Sequence, residues 1–107
     1  MVAIDLLIDP LAANRLGYWR WIETGAYYGV PARNFLGWFL VSFMIFGIVR
    51  QHPQSDLWAR SVGLSILLFF TVIALAYQLA LAAGVGLVLS LVHLALAVII
   101  HRRQAEP

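Results

Sequence analysis

Forty consecutive residues, from Ser61 to Ile100, contain no Asp, Glu, Lys or Arg, and this run constrains the chain more than any other feature. A bilayer core of roughly 30 Å is crossed by about 20 helical residues, so the run is long enough for two crossings. Within hydrocarbon only helices and closed barrels satisfy their own backbone groups, and a charge at mid-depth costs about 2.5–3.5 kcal/mol on insertion scales. The charged side chains therefore mark where the chain meets water. A mean hydropathy of +0.87 and 63% hydrophobic residues exceed the roughly one half expected of a soluble domain, so the surplus needs lipid.

The expected fold is all-α and integral to the membrane, with three transmembrane helices preceded by an interfacial, aromatic-rich segment. Residues 1–30 form that segment. Val2, Ile4, Leu6, Leu7 and Ile8 are interrupted by Asp5 and Asp9, and Pro10 is expected to break the run because it lacks a donor and crowds the preceding turn. Tyr18, Trp19, Trp21, Tyr27 and Tyr28 follow, rings that suit the headgroup level. Residues 31–107 form the membrane region, with spans at about 31–49, 61–81 and 85–100. Arg50 closes the first span, a polar connector with His52 and Asp56 leads to the second, and the glycine-containing stretch Ala82–Gly86 is expected to turn the chain back.

Several function classes fall away. The net charge is +2 and all seven cations are scattered arginines, with no basic run to track a phosphate backbone, so nucleic acid is excluded as a partner. There is no cysteine, hence neither disulfide nor thiolate metal ligation, and no metal site is expected. The first ten residues lack a basic stretch followed by an apolar core, so a cleaved signal peptide is not expected. Arg50, Arg60, Arg102 and Arg103 flank one side, against Arg15, Arg20 and Arg33 on the other. This excess places the C-terminus in the cytoplasm, with a bacterial cytoplasmic membrane as the expected home.

Few polar side chains can carry chemistry. His93 sits mid-depth in the third span, where an ionisable group is expensive. It reads either as a ligand to the metal of a tetrapyrrole or as an interhelical hydrogen-bonding residue, for instance with Gln78. Asp5, Asp9 and Glu23 lie near the aromatic cluster. A partly desolvated carboxylic acid beside tryptophan and tyrosine faces can protonate an alkene and shelter the resulting cation, although a surface helix with a wet charged face has the same pattern.

Asp9-Pro10, Gly17-Tyr18-Trp19-Arg20-Trp21, Gly25-Ala26-Tyr27-Tyr28-Gly29-Val30-Pro31 and Asn34-Phe35-Leu36-Gly37-Trp38 together resemble the carotenoid biosynthesis membrane proteins that include the bisanhydrobacterioruberin hydratases. The resemblance covers nearly all of this chain but only the C-terminal part of the family, whose members are typically more than twice as long. It implies a polytopic helical fold and addition of water across a terminal double bond of a linear carotenoid, with no metal or organic cofactor. Under it, Asp9, Glu23 and Asn34 become the catalytic candidates, and Trp19, Trp21, Tyr27, Tyr28 and Trp38 the substrate- or pigment-binding ones.

A site for a long polyene needs walls on several sides, and three helices supply few. The sequence therefore favours a structural, pigment-contacting subunit of a larger membrane assembly, a photosynthetic complex being the natural host. Its expected partners are other membrane subunits, lipids and carotenoid or another bound pigment. The alternative is a carotenoid hydratase acting as an oligomer, with a companion chain, or as part of a longer product.

Overall fold

The computed structural model describes residues 1–49 and 57–105; Arg50, His52 and Asp56 of the polar connector lie outside the described residues. Four α-helices follow one another: α1 (Val2–Asp9), α2 (Ala32–Val49), α3 (Leu57–Ala76) and α4 (Ala80–Ala105). Ala32–Val49, Leu57–Ala76 and Ala80–Arg103 are each long and apolar enough to cross a membrane. Among the described residues there is no strand, only two isolated bridges in the loop before α2, Gly25 to Gly29 and Tyr27 to Val30. The chain is thus an all-α membrane protein with three candidate spans.

The scaffold is the antiparallel hairpin of α3 and α4. Its turn is Tyr77–Leu79 rather than the predicted Ala82–Gly86, which lies wholly inside α4. Gln78 adopts φ +58°, its N–H bonds to the Leu75 carbonyl at 3.0 Å and that of Leu79 to Ala74 at 2.9 Å. This is the Schellman pattern, with glutamine in the left-handed position usually held by glycine. Gly86 serves packing instead. A Cβ there would lie 2.2 Å from Thr71 Oγ1 and 2.7 Å from Leu7 Cδ2, so only glycine lets α1, α3 and α4 meet at this level.

Thr71 and Ser90 are buried in the hairpin, and each satisfies its hydroxyl on its own helix, Thr71 on the Leu67 carbonyl and Ser90 on that of Gly86. At the end far from the turn, His93 Nε2 lies 2.9 Å from the Arg60 carbonyl, which as a bare acceptor assigns the proton to Nε2. The partner of His93 in the hairpin is thus the Arg60 carbonyl and not Gln78, which caps the opposite end of α3.

The N-terminal segment is more deeply engaged than an interfacial helix need be. Leu7, Leu11 and Ala12 are buried, and Leu11 joins Ala74, Leu79, Ala82 and Ala83 in the core cluster. Pro10 does not break the helix. It has helical angles (φ −60°, ψ −38°), and the chain continues as a wider π-helical turn over Pro10–Arg15. Widening to this pattern accommodates the donor that proline lacks. Interfacial character resumes beyond Arg15, where Leu16, Tyr18 and Ile22 are exposed. α2 stands apart: none of its residues is buried, and it is tied to the rest through its first turn.

Candidate functional site

The site is built where the end of α1, the loop before α2 and the first turn of α2 converge. The loop is rigid for local reasons. A Cβ at Gly25 would lie 2.0 Å from the Val30 carbonyl oxygen, so the chain closes on itself only with glycine there. Gly25 N–H bonds to the Gly29 carbonyl at 3.1 Å and Val30 N–H to the Tyr27 carbonyl at 2.9 Å. Tyr28 is held at φ +50°, a conformation costly for a residue with a bulky side chain. Three hydrogen bonds fix it. Asn14 Nδ2 donates to its carbonyl at 2.6 Å, and its hydroxyl oxygen accepts the backbone N–H groups of Leu81 and Ala82 at 3.1 and 3.2 Å.

Tyr28 thereby caps α4 from a distance, supplying acceptors that no residue in the turn provides. Tyr28→Phe should cost about 1 kcal/mol, the worth of a helix cap, with faster amide exchange confined to Leu81 and Ala82. Equal exchange in the two proteins would remove the capping role. Its neighbour Tyr27 also points inward, donating to the Leu6 carbonyl at 2.8 Å. Tyr27 packs edge-on against Tyr28 and Phe35, at centroid distances of 5.0 and 6.0 Å. Burial, and then the neighbouring Tyr28, push its phenol up to about 12, so it is a structural donor.

Asp9 is the chemical centre of this junction. It closes α1, is 7% exposed, and accepts a hydrogen bond from Asn34 Nδ2 at 2.5 Å. Removal from water raises its carboxyl to about 6; the neighbouring charge of Asp5 adds to this and the Asn34 bond opposes it. Asp9 and Asn34, separated by 24 intervening residues in the sequence, are thus brought into one pair. Glu23 is not part of it, since it forms an exposed ion pair with Arg33 at 3.0 Å.

Asn34 also lines a crevice of about 400 Å³, with Trp21, Arg33, Gly37, Trp38 and Val41. Its size falls in the usual range for small-molecule sites, and Asp9 stands one hydrogen bond behind its wall. Trp21 stands in a second crevice as well, of about 390 Å³, with Trp19, Arg20, Thr24 and Tyr28 among its walls. The Trp19 and Trp21 rings meet edge to face at 6.3 Å. The Trp21 indole N–H is buried with no acceptor among the described residues, a donor available to an oxygen-bearing ligand.

Of the residues singled out from sequence, Asp9, Asn34, Trp21 and Trp38 gather at this crevice. Trp19 borders the second one, Tyr27 and Tyr28 brace the fold, and His93 lies within the hairpin. Asn14 was missed, and nothing local in the sequence marks it. Asp5, grouped from the sequence with Asp9 and Glu23 as an acid near the aromatic cluster, lies four residues before Asp9 on α1, which puts both on one helix face. Among the described residues no group of three or more His, Asp and Glu side chains could hold a metal ion.

A buried acid beside an apolar, aromatic-walled crevice can deliver a proton to a hydrocarbon double bond, and the ring faces can stabilise the cation formed. The family model described as "Carotenoid biosynthesis protein" matches residues 1–99. No curated protein and no solved structure matches the chain. With nearly its whole length matched, the chain belongs to the carotenoid biosynthesis protein family.

Proposed function

We propose that this chain hydrates a linear carotenoid, adding water across a terminal double bond. The observation that carries the reading is the Asp9–Asn34 pair behind the tryptophan-lined crevice. The polyene lies along the apolar, lipid-facing surface of α2 and its end group enters between Trp21 and Trp38. Protonated Asp9 gives its proton to the less substituted alkene carbon, leaving a tertiary cation that the indole faces stabilise. Proton loss leaves Asp9 a carboxylate, and the bond from Asn34, now charge-assisted, holds it where it can take the proton of the attacking water. Water forms the new C–O bond, and the proton it sheds restores the carboxylic acid.

The active form is the protonated one, so the pH dependence has a definite sign. Conversion should be level below pH about 6, the value to which burial raises Asp9, and should fall roughly tenfold per pH unit above it. Measured in liposomes of constant composition, a rate that rises through this range would exclude Asp9 as the general acid.

A second reading is favoured by α2, on which Leu36, Phe39, Phe43, Phe46 and Ile48 are exposed among the described residues. In it the chain is a structural, pigment-contacting subunit of a larger membrane assembly, such as a photosynthetic complex, and the crevice holds a carotenoid without transforming it. Asp9→Asn separates the two, since a scaffold keeps its pigment and its partners when the acid is removed. Both readings place the chain in a bacterial cytoplasmic membrane with its C-terminus on the cytoplasmic side, as the arginine excess suggests.

A further inference from the structure

Adding water to a hydrocarbon brings together two reactants that do not mix, and the two crevices that share the loop before α2 differ in the way this requires. The first, of about 400 Å³, has Gly37, Trp38 and Val41 in its walls, whereas the second, of about 390 Å³, has Asn14, Arg20 and Thr24. Trp21 belongs to both. Its ring is braced edge to face by Trp19 at 6.3 Å, and its indole N–H is shielded from solvent without an acceptor among the described residues. A buried indole usually finds a partner, because an unpaired donor forfeits its hydration with nothing in return. Among the other polar groups of the first crevice, Asn34 is committed to Asp9 and Arg33 to Glu23, and Trp38 is exposed rather than sequestered. Trp21 is the donor that waits for an oxygen.

We propose that the Trp21 indole N–H is the oxygen-positioning group of this site, holding first the attacking water and then the new alcohol against the carbon that carries the cation. The inference rests on the hydratase reading for its purpose, but not for its measurement. As the end group passes between Trp21 and Trp38 it parts the walls that cover the N–H, and water from the polar crevice takes the acceptor place. One lone pair of that water accepts from Trp21 and the other forms the C–O bond, while the O–H facing Asp9 breaks and its proton returns to the carboxylate. The oxygen is neutral before and after, so the N–H fixes its position and leaves stabilisation of the cation to the rings. An unheld cation has another fate. A C–H bond on a neighbouring carbon breaks, its proton goes to Asp9, and an alkene re-forms with no oxygen added. Trp21 therefore decides between hydration and return.

The two fates are separable in deuterium oxide, because return leaves deuterium in a carotenoid that has no hydroxyl. The full chain in liposomes with a linear carotenoid is assayed for the ratio of hydroxylated product to deuterated, unhydrated carotenoid. Trp21→Phe should lower this ratio about tenfold, the worth of one hydrogen bond. Benzothienylalanine at position 21, which keeps the two-ring face and carries sulfur in place of the N–H, should lower it as much. A wild-type ratio with this isostere overturns the proposal. Binding is read separately from the indole N–H proton resonance of Trp21 in nanodiscs, assigned by its loss in Trp21→Phe and followed in the slow Asp9→Asn background. It should move downfield with a carotenoid bearing a tertiary hydroxyl end group and stay in place with the parent hydrocarbon; equal shifts with both overturn the proposal as well. A hydroxyl-specific shift in a chain that forms neither product sustains the donor while overturning the hydratase reading, so the two failures are distinguishable.

Discussion

Replacing Asp9 by Asn is expected to lower carotenoid hydration by about 10²–10⁴-fold, the usual worth of a positioned general acid, while leaving the helices in place. Asparagine has nearly the same shape and can still accept the Asn34 bond through its amide oxygen, so packing around Leu7 and Leu11 is undisturbed. Circular dichroism and elution in mild detergent should match wild type. Stability should respond in a way that activity does not reveal. Because the folded-state value of Asp9 is raised from 3.8 to about 6, its contribution is fully present below pH about 4 and is lost as pH rises through about 6. Asp9→Asn should therefore flatten the decline in stability over that window. Wild-type turnover in the variant would remove Asp9 from the chemistry.

The second large effect is structural. Gly86→Val should separate α1 from the hairpin, because even the first added carbon lies 2.2 Å from Thr71 Oγ1 and 2.7 Å from Leu7 Cδ2. Overpacking by one methyl group costs about 1–3 kcal/mol, and valine adds two more carbons in a site already closed by the Thr71 and Leu7 side chains. Gly86→Ala should fall between, and Thr71→Ala in the same chain should restore part of the loss by removing the nearest atom. Thermal unfolding in detergent, followed by tryptophan fluorescence, checks the order wild type, double variant, Gly86→Ala, Gly86→Val. Since Leu7 is two residues before Asp9, Gly86→Val should also expose the acid to water. By contrast, Gly84→Ala should be nearly neutral, for a Cβ there meets nothing within 4 Å.

These two positions also indicate what the sequence could and could not reveal. The spans were legible because the cost of charge in hydrocarbon confines polar residues to the boundaries, and the described helices lie where the uncharged runs are. The turn between α3 and α4 was misplaced because Gly84 and Gly86 look like a chain reversal, whereas Gly86 is small to let three helices meet. The reversal uses Gln78, whose left-handed backbone no composition rule would select, and the missing cap comes from Tyr28, more than fifty residues earlier in the chain. Pro10 was read as a stop because the usual rule has no place for a turn that widens around it. At the site, each candidate was visible singly. The pairing of Asp9 with Asn34, the diversion of Glu23 to Arg33 and the inward turn of Tyr27 are products of tertiary packing, which local spacing does not encode.

The central claim is that this chain adds water to a carotenoid through a proton held at Asp9. The most direct measurement is reconstitution of the chain into liposomes prepared in deuterium oxide, carrying a linear carotenoid with an unsaturated end group, followed by mass spectrometry of the extracted pigment. The account predicts a hydroxylated product with one deuterium on the carbon adjacent to the new hydroxyl-bearing carbon. It predicts about 10²–10⁴-fold slower formation of that product by Asp9→Asn. Recovery of unaltered carotenoid from the wild-type chain, alone and with any companion chain, while a longer member of the family forms the hydroxylated product under the same conditions, would contradict it.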